Sequence, residues 1–498
     1  MINRPNFRAA VRVRLDAYRG GSVPFGWPGR FWLYVNGKGT PWAILETTGG
    51  RIILSGDAPL PLGRWADLAL EYRADDFCLL YVNGKSIAAT RGRGPLPPGN
   101  DELWFGRYQW YEDDTPHDVW LKGSIAEPQL TLLPDNARFT FDTENLSNAM
   151  NVSWGDAIVL YDDWRSLSRP EHAVPFVEKC RRLGVRTVFL RCSSEFIVDY
   201  CHRHTMDENH WYTKALNAVE GDPKGSIVEK CHEADIEVYA YHTIFDEGSP
   251  PSVLYGGTTP YPWQSHFTIA HPEYLMENRD GSERQWGVMC YAYPEAREYT
   301  VNVFKDLVDR APYDGIYICT RTHSRPAEFA DQFGFNEPIV AEYQRRYGVN
   351  IRTEPFSKSR WWDLQGEYLT QLLREIRAAL PGKKIAIAIP RADHLGAPYG
   401  NMRLDWRTWV EEGLIDALVV SVYSGRFLYP DENDRPGYVQ SEQDGLGIRP
   451  LEYDIEKWFG PACQEHGVDL YLRRSSIITD KARELLDYPG VRGFMAGF

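Results

Sequence analysis

Eight short apolar runs recur through the C-terminal two-thirds of the chain, most of them preceded by a helical stretch and followed by polar residues. They are Ala157–Tyr161, Thr187–Arg191, Val238–His242, Gly315–Cys319, Ile385–Ile389, Ala417–Ser421, Leu470–Arg473 and Gly493–Ala496. Strands that are apolar throughout and alternate with helices predict a parallel sheet buried on both faces. Eight such units predict a closed (β/α)8, or TIM, barrel over residues 157–498. The covering helices are legible too. Ala173–Leu183 carries apolar positions at helical spacing before Gly184, and Tyr368–Leu380 does so before Pro381 and Gly382.

Residues 1–133 have another rhythm, with short alternating strands, Gly and Pro turns and little helix. Phe31–Val35 runs into Asn36–Gly37 and Cys78–Val82 into Asn83–Gly84, and Asn-Gly between apolar strands predicts a hairpin. The segment YVNGK occurs at Tyr34–Lys38 and again at Tyr81–Lys85. The pattern predicts an all-β jelly-roll sandwich. A polar connection, 134–156, separates it from the expected barrel.

A barrel of this kind places its chemistry at the C-terminal ends of its strands, which narrows the search to a few positions. Asp163 follows the first expected strand. Arg191 and Glu195 end the second, and His242, Asp246 and Glu247 the third. Arg321 and His323 follow the fourth, Arg391, Asp393 and His394 the fifth, Tyr423 the sixth and Arg473 the seventh. Long connections, 243–296 and 322–363, add aromatic residues such as Trp263 and Trp286 that suit a sugar groove. Glycosidic cleavage needs two carboxyl groups across the bond. Asp246 and Glu195, from neighbouring strands, are the expected pair, with Asp393 in reserve. Arg191, Arg321, Arg391 and Arg473 offer planar forks for a carboxylate or sulfate, so an anionic glycan enters as a substrate class. The competing reading of each arginine is a structural ion pair with one of these acids. His242, His323, Tyr423 and Asp163 are the expected hydrogen-bonding contacts.

Composition trims the alternatives. A net charge of −14 argues against general nucleic-acid binding. The eight cysteines form no CxxC pair. His202, His204, Asp207 and His210 fit no strong zinc spacing and are expected in a solvated loop, so neither a metal nor a cofactor is expected. No apolar run is long enough to cross a membrane. Met1–Arg14 lacks the apolar stretch of a secretory signal, which leaves cytoplasmic and secreted locations both open. Oligomeric state is open as well.

Two resemblances sharpen this picture. Gly63–Leu70, LLYVNGK, Leu103–Gly106 and Gly123–Glu127 resemble the strand order of a concanavalin-like, laminin-G-type jelly roll, a fold that serves as a sugar binder, a protein binder or a spacer. His271–Tyr274, Tyr293–Tyr299, Tyr313–Tyr317 and above all Asp405–Asp416 resemble the family-10-like glycosyl hydrolase barrels. That resemblance implies a (β/α)8 barrel acting on glycans. The chain departs from the group at Cys319, where many members carry Asp. It also lacks the glutamates that many retaining barrel glycosidases use at strands four and seven. A glycoside hydrolase is therefore the leading expectation. A non-catalytic carbohydrate-binding barrel and a polysaccharide lyase using Arg, His and Tyr are the alternatives.

Overall fold

The computed structural model describes residues 6–98, 102–112, 115–152, 173–191, 223–249, 263–320, 327, 331–395, 402–424, 446, 449–474 and 477–497. The chain divides into two compact units: residues 1–142 with 475–485, and residues 143–474 with 486–498.

The first unit is an antiparallel sandwich. Its strands are β1 (Phe7–Leu15), β2 (Ser22–Trp27), β3 (Phe31–Val35), β4 (Pro41–Leu45), β5 (Ile52–Ser55), β6 (Trp65–Tyr72), β7 (Phe77–Val82), β8 (Lys85–Arg91), β9 (Trp104–Phe105), β10 (Arg107–Glu112), β11 (Thr115–Trp120) and β12 (Gly123–Leu132). One sheet runs β12-β1-β6-β7-β8 and the other β5-β4-β3-β2-β9, with β10-β11 as a separate hairpin. Alternate positions of β1, β3 and β4 are buried, and Phe7, Phe31, Leu33, Ala43, Leu70 and Leu80 meet between the sheets. The two YVNGK segments do not fold alike. At Asn83–Gly84 both residues take left-handed φ (49° and 81°) and close a two-residue turn. At Asn36 the side-chain Oδ1 instead accepts from the Lys38 and Thr40 amides and closes a longer one.

Residues 475–485, expected within the barrel, belong to the sandwich unit. The Asp480 carboxylate accepts from the Ser86 amide and hydroxyl, both at 3.0 Å, and Lys85 pairs with Glu484 at 2.8 Å. These partners are polar groups scattered in sequence, with no periodicity to announce them.

The second unit is a closed parallel barrel of β13 (Asn148–Val152), β14 (Val185–Arg191), β15 (Glu237–Thr243), β20 (Gly315–Cys319), β21 (Lys384–Arg391), β24 (Ala417–Ser424), β25 (Asp469–Arg473) and β26 (Val491–Gly497). Short hairpins interrupt the run: β16 (Gly248–Ser249) with β17 (Trp263–Gln264), β18 (Leu275–Glu277) with β19 (Arg284–Met289), and β22 (His394–Leu395) with β23 (Met402–Arg403). Seven of the eight barrel strands contain the expected runs. The first does not. Ala157–Tyr161 lies outside the described residues, and the strand between β14 and β26 is Asn148–Val152, inside the expected linker. Its two asparagines hid it. Asn148 donates to the Leu183 carbonyl (2.8 Å) and accepts from the Phe494 amide (3.1 Å), so its polarity serves to lace the strand into place.

Large and small side chains share the barrel interior. Phe189, Tyr239, Tyr241 and Tyr317 fill it from β14, β15 and β20, while β21 contributes only Ala386 and Ala388. Phe189 and Tyr317 stack at 4.1 Å. Gly315 is required at the β20–β21 seam, because a Cβ there would sit 2.2 Å from the Lys384 carbonyl oxygen. Gly315→Ala is expected to cost about 1–3 kcal/mol by forcing the strands apart. A urea titration that left the midpoint unchanged would contradict this packing.

Candidate active site

Strand alternation decides which side chains reach the barrel mouth. Phe189 faces the interior, so Arg191, two residues on, does too. By the same rule Asn151, Thr243, Cys319, Ser421 and Arg473 stand on the inner side near the C-terminal strand ends.

The described centre of this mouth is an ion pair. Arg191 Nη2 donates to Asp246 Oδ2 at 3.0 Å, with 2% and 1% of the two side chains exposed. The Arg191 guanidinium also lies 5.3 Å from the centroid of the Tyr241 ring. Burial, and next the neighbouring Cys319, hold the Tyr241 hydroxyl well above its ordinary pKa, although Arg191 opposes them. Tyr241 is therefore a neutral donor at any physiological pH.

Behind Asp246 lies a second buried acid. Glu247 accepts from the Tyr299 hydroxyl at 3.1 Å, and His242 Nε2 lies 4.0 Å from its other oxygen. The long connection after β15 is stitched around it. The Glu247 amide donates to Gly287, and its carbonyl accepts from Ser265. Tyr299 is held by stacking on Phe267 at 3.9 Å.

The expected residues fare unequally. Asp246 is where strand logic put it, and its partner is Arg191. His242 is corrected: Tyr241 and Thr243 face inward, so His242 faces out and packs edge-on against Phe304 at 5.3 Å. Arg391 is corrected as an anion holder. Its Nε lies 3.4 Å from the carboxylate of Asp454, a fully buried acid that no strand-end rule selects. Asp393 is buried and 3.4 Å from Arg403, which also binds Asp363 at 2.8 Å. Arg473 keeps its inner position and is half-buried, and no acid among the described residues pairs with it. Trp286 lies half-buried on β19, and Trp263 begins β17. Tyr423 lies on β24, its side chain outside the described atoms. Glu195, Asp163, Arg321, His323 and the His202–His210 cluster lie outside the described residues. Reading position one at Ala157 also hid Asn151, which no motif marks.

His394 adds a titratable group to the rim. It is 2% exposed, meets Trp362 at 4.6 Å, and neither ring nitrogen has a hydrogen-bond partner. Burial, and then the Arg403 charge, push its pKa well below the usual value. Below about pH 6.5 the unfolded chain takes up a proton that the native ring refuses, so stability falls as the pH drops through that range. His394→Phe is expected to flatten that slope by close to one proton. Denaturation midpoints measured between pH 7 and 5 check it, and an unchanged slope would contradict a neutral His394.

Among the described residues no cluster of three or more His, Cys, Asp or Glu could hold a metal ion, and no helix is long and apolar enough to cross a membrane.

The fold and this mouth define a class: a (β/α)8 barrel with buried, arginine-paired carboxylates beside its C-terminal strand ends. Residues 162–441 match the family described as glycosyl hydrolase-like 10, and the chain belongs to it. Residues 7–130 match the concanavalin A-like lectin/glucanases superfamily in its laminin-G form. No curated protein matches the chain. Among solved structures, a β-galactosidase from the psychrophilic Marinomonas ef1 is 11% identical, with 71% of this chain and 54% of that one covered and a TM-score of 0.41. The PgaB (BpsB) glycoside hydrolase domain from Bordetella bronchiseptica is 12% identical, with 71% and 94% covered and a TM-score of 0.37. The CBM40 of a Ruminococcus gnavus IT-sialidase is 19% identical, with 26% and 79% covered and a TM-score of 0.22. At such scores these likenesses carry no functional argument.

Proposed function

We propose that the protein is a glycoside hydrolase that cleaves a polysaccharide or oligosaccharide at the barrel mouth. The observation that carries this reading is Asp246, a carboxylate fixed at the mouth by Arg191 in a chain of the glycosyl hydrolase-like 10 family. Paired as an ion, Asp246 suits the nucleophile or the stabiliser of an oxocarbenium-like transition state. The proton donor must then be another acid, and Glu195, from the neighbouring strand, is the candidate. Arg473 and Asn151 are the candidates to bind hydroxyl groups, and Trp286 is the candidate to stack on a sugar face.

Whether the glycan is acidic turns on the arginines. Arg191 and Arg391 each stand beside a buried carboxylate. Of the expected anion holders with described side chains, that leaves Arg473. Neutral substrates are therefore the first expectation and acidic ones the second arm of the test.

The test is reducing-end release from neutral, uronate-containing and sulfated polysaccharides. Release from at least one, lost in Asp246→Asn, supports the proposal. Tight retention on a glycan with no release from any of them would replace hydrolysis with binding, the reading that the missing strand-four and strand-seven glutamates favour. In Arg473→Ala we expect KM to rise about tenfold with kcat little changed, as for a contact made equally in ground and transition states.

A further inference from the structure

The connection between β25 and β26 is built from very little regular structure. Among its described residues there are a four-residue helix, Asp480–Arg483, and a 3-10 turn, Glu484–Asp487. Elements this short do not hold their shape alone. Thr479 caps the helix by accepting from the Ala482 amide at 3.2 Å. Ile477, Ile478, Ala482 and Leu485 are buried. Residues 475–485 belong to the sandwich unit, so the order of this barrel connection comes from the sandwich.

The seat is a single residue of β8. Ser86 is 3% exposed. Its amide and its hydroxyl both donate to Asp480 Oδ2 at 3.0 Å, and the hydroxyl oxygen accepts from the Asp480 amide at 2.9 Å. Two ion pairs flank the seat, Lys85 with Glu484 and Lys481 with Asp57, but both are solvent-exposed and add little. The second YVNGK copy, Tyr81–Lys85, explains why the seat is rigid. Ser86 follows it directly, and its turn is pinned to β6. The Asn83 amide donates to the Asp67 carbonyl at 2.8 Å, and Asn83 Oδ1 accepts from the Asp67 amide at 2.9 Å. Both feet of the connection are fixed on the barrel as well. The Arg474 amide donates to the Met495 carbonyl at 3.1 Å. At the other foot Gly460 and Gly490 allow a close approach: a Cβ on Gly460 would sit 2.4 Å from the Pro489 carbonyl oxygen, and one on Gly490 2.5 Å from that of Gly460.

We propose that the sandwich acts as a clasp for the barrel: Ser86, by holding Asp480, is a positioning residue for β25, β26 and the inner strand end at Arg473. A connection held at both feet and at its crest has little freedom. Released at the crest, it passes that freedom to the strand ends that bear it. The clasp contacts lie within the first unit, and the chain itself carries their effect to the second. The role needs no ligand on the sandwich and does not depend on the hydrolytic reading of the mouth.

The experiment is amide hydrogen exchange on the full chain, read by mass spectrometry of peptides. Ser86→Ala and Asp480→Ala are each expected to speed exchange about tenfold in peptides covering Leu470–Arg473 and Val491–Gly497, while β20 and β21 keep the wild-type rate. Asp480→Asn keeps an oxygen acceptor for both Ser86 donors and should exchange nearly as the wild type does. Arg8→Ala, which removes the Arg8–Glu71 pair elsewhere on the sandwich, should leave β25 and β26 untouched. Acceleration confined to residues 477–485 would make the contact a local one and overturn the proposal. So would equal acceleration of β20 and β21 with β25 and β26, which is general destabilisation, or unchanged exchange in both alanine variants.

Discussion

Asp246→Asn is expected to lower kcat on any glycan the protein cleaves by about 10³-fold, with KM much less affected. Asparagine keeps the shape of the side chain and an acceptor for Arg191 Nη2. It loses the negative charge that would face a developing cation or attack the anomeric carbon. The effect therefore falls on the transition state. Glu247→Gln separates this role from that of the acid behind it. Glu247 is buried against Tyr299 and beside His242, so its loss should shift Asp246 and lower kcat by a smaller factor. If Asp246→Asn retained full turnover while Glu247→Gln lost it, the two roles would have to be exchanged.

Arg191→Met is expected to be the most destabilising single change in the mouth. It leaves the Asp246 charge 1% exposed with its guanidinium gone, and stranding one member of a buried pair costs about 3–5 kcal/mol. The pair need not be worth that much itself. In the double variant Arg191→Met/Asp246→Leu no charge is stranded, and stability should return most of the way to wild type while turnover stays lost. Chemical denaturation of the wild type, both single variants and the double gives the coupling directly. Additive losses would show that the two residues do not act as a pair.

Much of the barrel was legible because buried parallel strands are written as apolar runs. Thr187–Arg191 and Gly315–Cys319 needed nothing else. The first strand was not, because Asn148–Val152 opens on a polar side chain, Asn148, that laces its neighbours, and the more apolar Ala157–Tyr161 outcompeted it as a pattern. In the site, the position of Asp246 could be read from strand order, but its partner could not. Arg191 and Arg391 looked alike in sequence. Alternation sends the first inward to Asp246, while the second pairs with Asp454, more than sixty residues away, in a helix that no strand rule marks. His242 failed for the same reason of parity: one position along a strand turns a side chain from the mouth to the helical layer.

Hydrolysis at this mouth is tested most directly by turnover in heavy-oxygen water, read by mass spectrometry of the products. Hydrolysis places one solvent oxygen at each new reducing end, and Asp246→Asn should abolish its appearance. Products lighter by the elements of water, without solvent oxygen, would make the protein a lyase. Intact glycan after prolonged incubation, despite tight binding, would contradict enzymatic function altogether.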